Sequence, residues 1–233
     1  MRMKILALDT AASWCSVAVY DSDGDLVLAD VSENIGKGHA EVLMTYIERA
    51  LTEAKLSLSD MDRVAINIGP GSFTGVRIGV SAARGFALAL GVPALGITAF
   101  EALAAESRLT NPEKPVLVLL DAHRGEIYAQ PFDAKGLPGD KPLVLSRDEA
   151  EALAASQAEN TVLAGSASVS INEAVGGRFA LGPSEPTATI GVYARLAGSR
   201  QPGGDAPKPL YMRGPDAKPQ VGFALPRKSA GGE

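Results

Sequence analysis

The sequence predicts a duplicated α/β fold of two lobes, each a mixed sheet with flanking helices. Three observations predict it. Two β-rich runs flank Asp23-Gly24 near the start, a strong hairpin signal. An order of three strands, helix, strand, helix follows from Lys4 and recurs after about residue 115, without identity between the halves. Between the two runs lies LTNPEKP, whose two prolines mark a junction.

In the first half, KILALDT alternates too little for an exposed strand and predicts a buried one. WCSVAVYDSDGDLVLADVS supplies two further strands, so the three form an antiparallel meander. GHAEVLMTYIERALTEAKL follows as a helix, with Leu43, Ile47, Ala50, Leu51 and Ala54 on one face. RVAINIG is a short buried strand. TGVRIGVSAARGFALALG is a second helix, closed by Gly91 before Pro93. PALGI is another strand, and Thr98 with Glu101 forms a capping box opening AFEALAAES.

In the second half, PVLVLLDA, GEIYAQPFDAKG and PLVLS predict strands. RDEAEALAAS is a helix, TVLAGS a buried strand, and SVSINEAV and TATIGVYARLAG are helices. The expected division is a first lobe over 1–108, a second over 112–213, and a mobile Pro/Gly/Lys-rich tail over 214–233. This element order is that of the actin/hexokinase-like superfamily. In that fold an Asp at the first strand end opens a phosphate-surrounding hairpin, which here points to Asp9 and Thr10.

The 233 residues, 46% of them hydrophobic, suffice for one large core or two modest ones. A net charge of −5 gives no global attraction to nucleic acid. The single cysteine, Cys15, excludes an intramolecular disulfide and suits a reducing compartment. MRMKILALDT is broken by Asp9 too early for a signal peptide, and no apolar segment of bilayer length escapes interruption by charge or glycine. The expectation is a soluble cytoplasmic protein.

The loop NIGPGSFTGVRIG, Asn67 to Gly79, runs from a strand into a helix, as phosphate loops do. Counted from Gly69, the second Walker glycine falls one position late at Gly75, and Val76 stands where lysine belongs. The dinucleotide fingerprint places Thr74 at its third glycine. Both templates fail, which leaves Arg77 in the first helical turn as the candidate anion contact beside Asp9 and Thr10. Gly75, Gly79, Ala83 and Ala87 instead form a ridge of small residues that another backbone can approach closely. This helix is apolar almost all round, and Val42, Met44 and Tyr46 widen the apolar arc of the preceding one. The two helices side by side predict a partner surface of His39, Val42, Leu43, Met44, Tyr46, Gly75, Ile78, Gly79, Ala82 and Ala83.

No catalytic set emerges. There are two histidines, His39 and His123, at no metal-ligand spacing, and Leu43 occupies the fourth position after His39. His39 is expected to make local hydrogen bonds, and Cys15 to be a buried, inert thiol. Ser72 lies outside a nucleophile elbow, and Asp121 to Arg124 is expected at a hairpin tip. No catalytic residue and no metal ligand is therefore assigned.

LALDTAASWCSVAVYD, GHAEVLM, INIGPGSFTGVRIGVSAARGFALALGVPALGITAFEALA and DAHRGEIYAQ resemble the TsaB (YeaZ) family, strongly over about the first 130 residues. The tail PLYMRGPDAKPQ resembles the end of some members. The resemblance implies the actin/hexokinase-like fold and a place in forming N6-threonylcarbamoyladenosine at position 37 of tRNAs reading codons that begin with A. It implies a non-catalytic scaffold that pairs with TsaD, the catalytic paralogue carrying a metal-binding histidine pair, through helices of the first lobe. The ATPase TsaE joins them, tRNA is met through the complex, and a homodimer forms when TsaD is absent. No cofactor is implied for the chain itself, and ATP binding stays open within the assembly. The alternatives are a stand-alone sugar-kinase-like phosphotransferase or an M22-like metallopeptidase, which these residues do not favour.

Overall fold

The computed structural model describes residues 3–122 and 125–212. His123, Arg124 and the 214–233 tail named above lie outside the described residues. Strands β1 (Lys4–Asp9), β2 (Trp14–Asp21) and β3 (Leu26–Asn34) form the antiparallel meander. Helix α1 (His39–Ala54) leads to β4 (Arg63–Asn67), which pairs parallel to β1, and α2 (Phe73–Leu90) leads to β5 (Ala94–Ile97), parallel to β4. The first sheet has the order β3-β2-β1-β4-β5. After α3 (Ala99–Thr110) come β6 (Val116–Asp121), β7 (Glu126–Phe132) and β8 (Leu143–Ser146), then α4 (Arg147–Ala155), β9 (Val162–Ala164), α5 (Ser168–Ala174), β10 (Ala180–Leu181) and α6 (Ile190–Ser199). The second sheet, β10-β9-β6-β7-β8, repeats the plan of the first.

Three apolar clusters stack these elements in five layers. Leu43, Ile47, Ala50 and Val76, Val80, Ala83 seat α1 and α2 on Leu6, Leu8, Val17, Val64 and Ile66 of the first sheet. Phe100, Leu103, Tyr193 and Ala194 put α3 and α6 between the sheets, against Ile5, Ala7 and Ala18 on one side and Val116, Val118 and Val162 on the other. Ala150, Ala154 and Ile171 cover the far face of the second sheet with α4 and α5. Because both faces are covered, β1 and β4 are buried almost throughout, which explains their unbroken apolar runs. The arrangement is the actin/hexokinase-like fold.

The local signals hold at the caps. Ser72 accepts from Gly75 N at the start of α2, Gly91 closes it at φ 68°, and Thr98 and Glu101 form the capping box of α3. Two features depart from the sequence reading. The 3-residue and 2-residue strands β9 and β10 are parallel partners, and β10 carries too few residues to be seen as a strand beforehand. The last helix starts at Ile190, not at Thr187. By length and composition α2 also suffices to cross a membrane, yet Arg77, Arg84 and three glycines interrupt it and one of its sides packs on the first sheet.

Candidate functional site

Strands β1 and β4 end side by side, and their last residues, Asp9 and Asn67, are buried. Asp9 Oδ1 accepts from Ala11 N at 2.8 Å and from Asn67 Nδ2 at 3.0 Å. Asn67 Nδ2 also donates to the Tyr193 hydroxyl of α6 at 2.9 Å, and its Oδ1 accepts from Gly69 N at 2.8 Å. The Thr187 side chain lies beside the same carboxylate, and the Ala188 backbone beside the Tyr193 hydroxyl. The cluster ties the first sheet to the N-terminal end of α6.

Its electrostatics follow from burial. Desolvation pushes the Asp9 carboxyl up to about 6, against the lowering influence of Ala11, Asn67, Thr187 and the His39 charge. Burial next to Asp9 raises the Tyr193 phenol well above its usual range. Cys15, also buried, is pushed up to about 11 by desolvation and by the charges of Asp9 and Glu33, so its thiol is inert as expected. Among the described residues no second carboxylate hydrogen-bonds Asp9, which is 3% exposed, an arrangement that favours its protonated form. No cluster of three or more metal-ligating side chains occurs among the described residues.

The glycine loop lies directly on this site. Gly69-Pro70 is a cis peptide. Ser72 N donates to Ala11 O at 2.6 Å, and the Thr10 hydroxyl donates to Gly75 O at 2.7 Å. A Cβ at Gly71 would sit 2.3 Å from Ala11 O, and one at Gly75 would sit 2.0 Å from Thr10 O. The glycines exist so that the loop and α2 can touch the β1–β2 connection. Loop and connection are thus in backbone contact, with no room for a side chain at Gly71 or Gly75.

The candidates named from sequence therefore separate. Asp9 and Thr10 meet, but Arg77 is exposed on α2 and turned away from them. Its Nε donates to the Tyr211 hydroxyl at 2.8 Å, and its guanidinium lies 3.8 Å from the Phe73 ring centroid. Six of the ten partner-surface residues, His39, Leu43, Tyr46, Gly75, Gly79 and Ala83, face inward. The physical reason for the ridge is the chain's own sheet: Gly79 is pressed on Thr10 Oγ1 and Ile66. His39 Nε2 lies 3.1 Å from Trp14 O, twenty-five positions away, and not in a local bond. Val42, Ile78 and Ala82 are half-buried, and Met44 is 51% exposed, so these four remain accessible. Sequence reasoning missed Asn67 and Tyr193. An asparagine ending the apolar run RVAI was a signal for the first; nothing local marks the second.

The chain matches the family model described as TsaD: tRNA N6-adenosine threonylcarbamoyltransferase over residues 29–137. It is similar to the tRNA threonylcarbamoyladenosine biosynthesis protein TsaB of Buchnera aphidicola subsp. Schizaphis graminum, 38% identical over 53% of this chain and 58% of the relative. An uncharacterized protein of Mycobacterium tuberculosis is 31% identical over 92% of this chain and 94% of its own length. The match thus spans about half the length of the curated TsaB relatives. Among solved structures, YeaZ from Pseudomonas aeruginosa superimposes with a TM-score of 0.74 at 27% identity, covering 90% of this chain and 100% of that one.

Proposed function

The chain belongs to the TsaB (YeaZ) family, and from that premise we propose that it is a non-catalytic scaffold subunit in the formation of N6-threonylcarbamoyladenosine at position 37 of tRNA. In this reading it acts in the cytoplasm, docks on the transferase TsaD, and is joined there by TsaE. It pairs with itself when TsaD is absent, and tRNA and ATP are handled by the assembly.

The observation that supports the reading is the closed packing of the glycine loop on the β1–β2 connection. Thr10 and Ala11 carbonyls lie against Gly75 and Gly71 of the loop, and the Asp9 carboxyl beneath is 3% exposed. What stays accessible is the outer side of α1 and α2, where Met44 is exposed and Val42, Ile78 and Ala82 are half-buried. A partner helix pair seated there buries apolar surface that the chain leaves open.

Reconstitution tests this. Purified chain, TsaD, TsaE, ATP, threonylcarbamoyl-adenylate and unmodified tRNA are combined in all subsets, with mass spectrometry of the nucleosides as readout. The chain alone is expected to give no threonylcarbamoyladenosine, and its omission is expected to lower the yield with TsaD and TsaE at least tenfold. Product from the lone chain overturns the scaffold reading. Met44→Asp with Ile78→Asp is expected to abolish co-elution with TsaD while circular dichroism stays unchanged.

A further inference from the structure

The exposed arc of α2 has two flanks of different chemistry. Toward α1 lie Ile78, Ala82 and Phe86, half-buried and packed on the core that α1 shares. On the other flank Phe73, Arg77, Ser81, Arg84 and Leu88 recur at helical spacing, and all five are exposed. No Asp or Glu occurs anywhere in α2.

A strap formed by residues 201–212 runs beside that second flank. It is anchored at one end by Arg200, which donates to Gly96 O at 3.2 Å and to Glu101 at 2.6 Å. At the other end Pro207 packs by Gly96, and Leu210 N donates to Ile68 O at 2.8 Å. Tyr211 then closes on α2: its ring centroid lies 5.5 Å from that of Phe73, and its hydroxyl holds Arg77. Farther along, Arg84 and Leu88 share a cavity of about 490 Å³ with Gly203, Gly204, Asp205 and Pro207 of the strap.

Exposed aromatic rings are scarce in this chain. Among the described residues they are Trp14, Phe73 and Tyr211, and two of the three touch one another and an arginine. Arg84 and the strap's exposed Lys208 make no ion pair among the described residues, and Asp205 is the one carboxylate lining the groove. A locally basic and aromatic stripe thus stands on a chain of net charge −5.

We propose that this stripe contacts RNA, stacking unpaired bases on Phe73 and Tyr211 and facing phosphates with Arg77, Arg84 and Lys208. Flat, half-exposed rings are platforms for any base, and Arg84 in the solvent-open groove, with exposed Arg77 on the same helix flank and exposed Lys208 on the strap, supplies cations that match a phosphate backbone. Arg77 and Arg84 stand about 10 Å apart along the helix axis, enough for more than one phosphate. The exposed Gly203-Gly204 backbone leaves the groove without side-chain bulk on that side. An acidic protein segment would answer the same cations, but the apolar area that suits a protein lies on the other flank of α2. The inference rests on the reading that the chain works in a tRNA-modifying assembly, and it removes the objection that net charge raises against direct contact.

Fluorescence anisotropy with an unmodified tRNA transcript tests it, on the chain alone and with TsaD, across a salt series. Arg84→Glu with Lys208→Glu leaves the Tyr211 clasp intact. It is expected to weaken tRNA binding at least tenfold at low salt and to flatten the log–log salt slope by about two. Tyr211→Leu is expected to weaken binding severalfold with the slope unchanged. Melting curves and co-elution with TsaD are recorded on the same samples. Unchanged tRNA binding in both variants, or no tRNA binding by the unaltered chain alone and with TsaD, overturns the proposal. Loss of TsaD co-elution in the charge-reversed variant assigns the stripe to the protein partner and also overturns it. Failure of the unaltered chain to co-elute with TsaD counts against the scaffold reading alone, because the tRNA measurement on the lone chain still reads the stripe.

Discussion

Asp9 is the residue at which burial works against stability. Its carboxyl stands at about 6 in the folded chain, against 3.8 when solvated. The folded state therefore holds the proton more tightly than the unfolded one. Well below pH 3.8 both states are protonated and the favourable difference is complete. As pH rises through 4 to 6 the unfolded chain ionises first, and about 3 kcal/mol is lost by linkage. Asp9→Asn keeps an oxygen for Ala11 N and Asn67 Nδ2 and removes the charge. Urea unfolding is expected to show the variant equal to the parent near pH 3 and about 1–3 kcal/mol more stable at pH 7.5. A gap of equal size at both pH values would mean that Asp9 does not titrate between them and that the substitution acts through packing alone. Asp9 and Thr10 were legible beforehand because a strand-end position and the fold order pick them out. Their partner Tyr193 was not, since 126 residues separate it from Asn67 and only the packing of α6 brings them together. The separation of Arg77 from Asp9 and Thr10 was hidden for the same reason: the partner of Arg77, Tyr211, lies 134 residues away.

At the scale of elements, α6 has no basic residue in its last turn and is capped from elsewhere. Arg63 of β4, only 6% exposed, donates through Nη1 to Ala197 O and, at 2.9 Å, to Arg200 O. Its charge thus meets the negative end of a helix dipole, while its Nε has no protein partner and burial lowers its pKa. Arg63→Met leaves both carbonyls unsatisfied, and a loss of about 1–3 kcal/mol is expected. Hydrogen exchange at amides 195–200 is expected to accelerate more than at β1. Uniform acceleration across the chain would show that Arg63 fills space and does not cap. Hairpin, caps and buried strands were readable here because each depends on a few neighbouring residues: Asp23-Gly24, Thr98 with Glu101, and the run RVAIN. The facing of α1 and α2 was readable only by half. An apolar helix face and a small-residue ridge look alike whether they meet a partner or the chain's own sheet, and Gly75 and Gly79 met Thr10 and Ile66.

The whole molecule exchanges helices between its halves. The proline-rich break after α3 falls between the two sheets, yet α3 packs on β6 and β9 of the second sheet while α6 packs on β1, β2 and β4 of the first. One apolar cluster therefore contains residues from both sheets and both helices. Arg200 to Glu101, and Glu106 to Thr189 at 2.7 Å, bind the crossing helices to each other at their ends. A fragment ending at residue 111 keeps the first sheet and its outer helices but loses α6, which leaves Ile5, Ala7, Ala18 and Leu95 without that cover. Burial of such side chains contributes about 1.5–3 kcal/mol each for the larger ones, so their exposure removes much of what a domain of this size has. The full chain is expected to unfold in a single transition by circular dichroism and by tryptophan fluorescence from Trp14. The 1–111 fragment is expected to bind the dye ANS, to lack near-ultraviolet ellipticity, and to regain it when a 112–233 fragment is added. A 1–111 fragment that unfolds cooperatively by itself would show that the first half closes its core without α6. The exchanged helices would then be a joint between two finished lobes and not the shared centre of one.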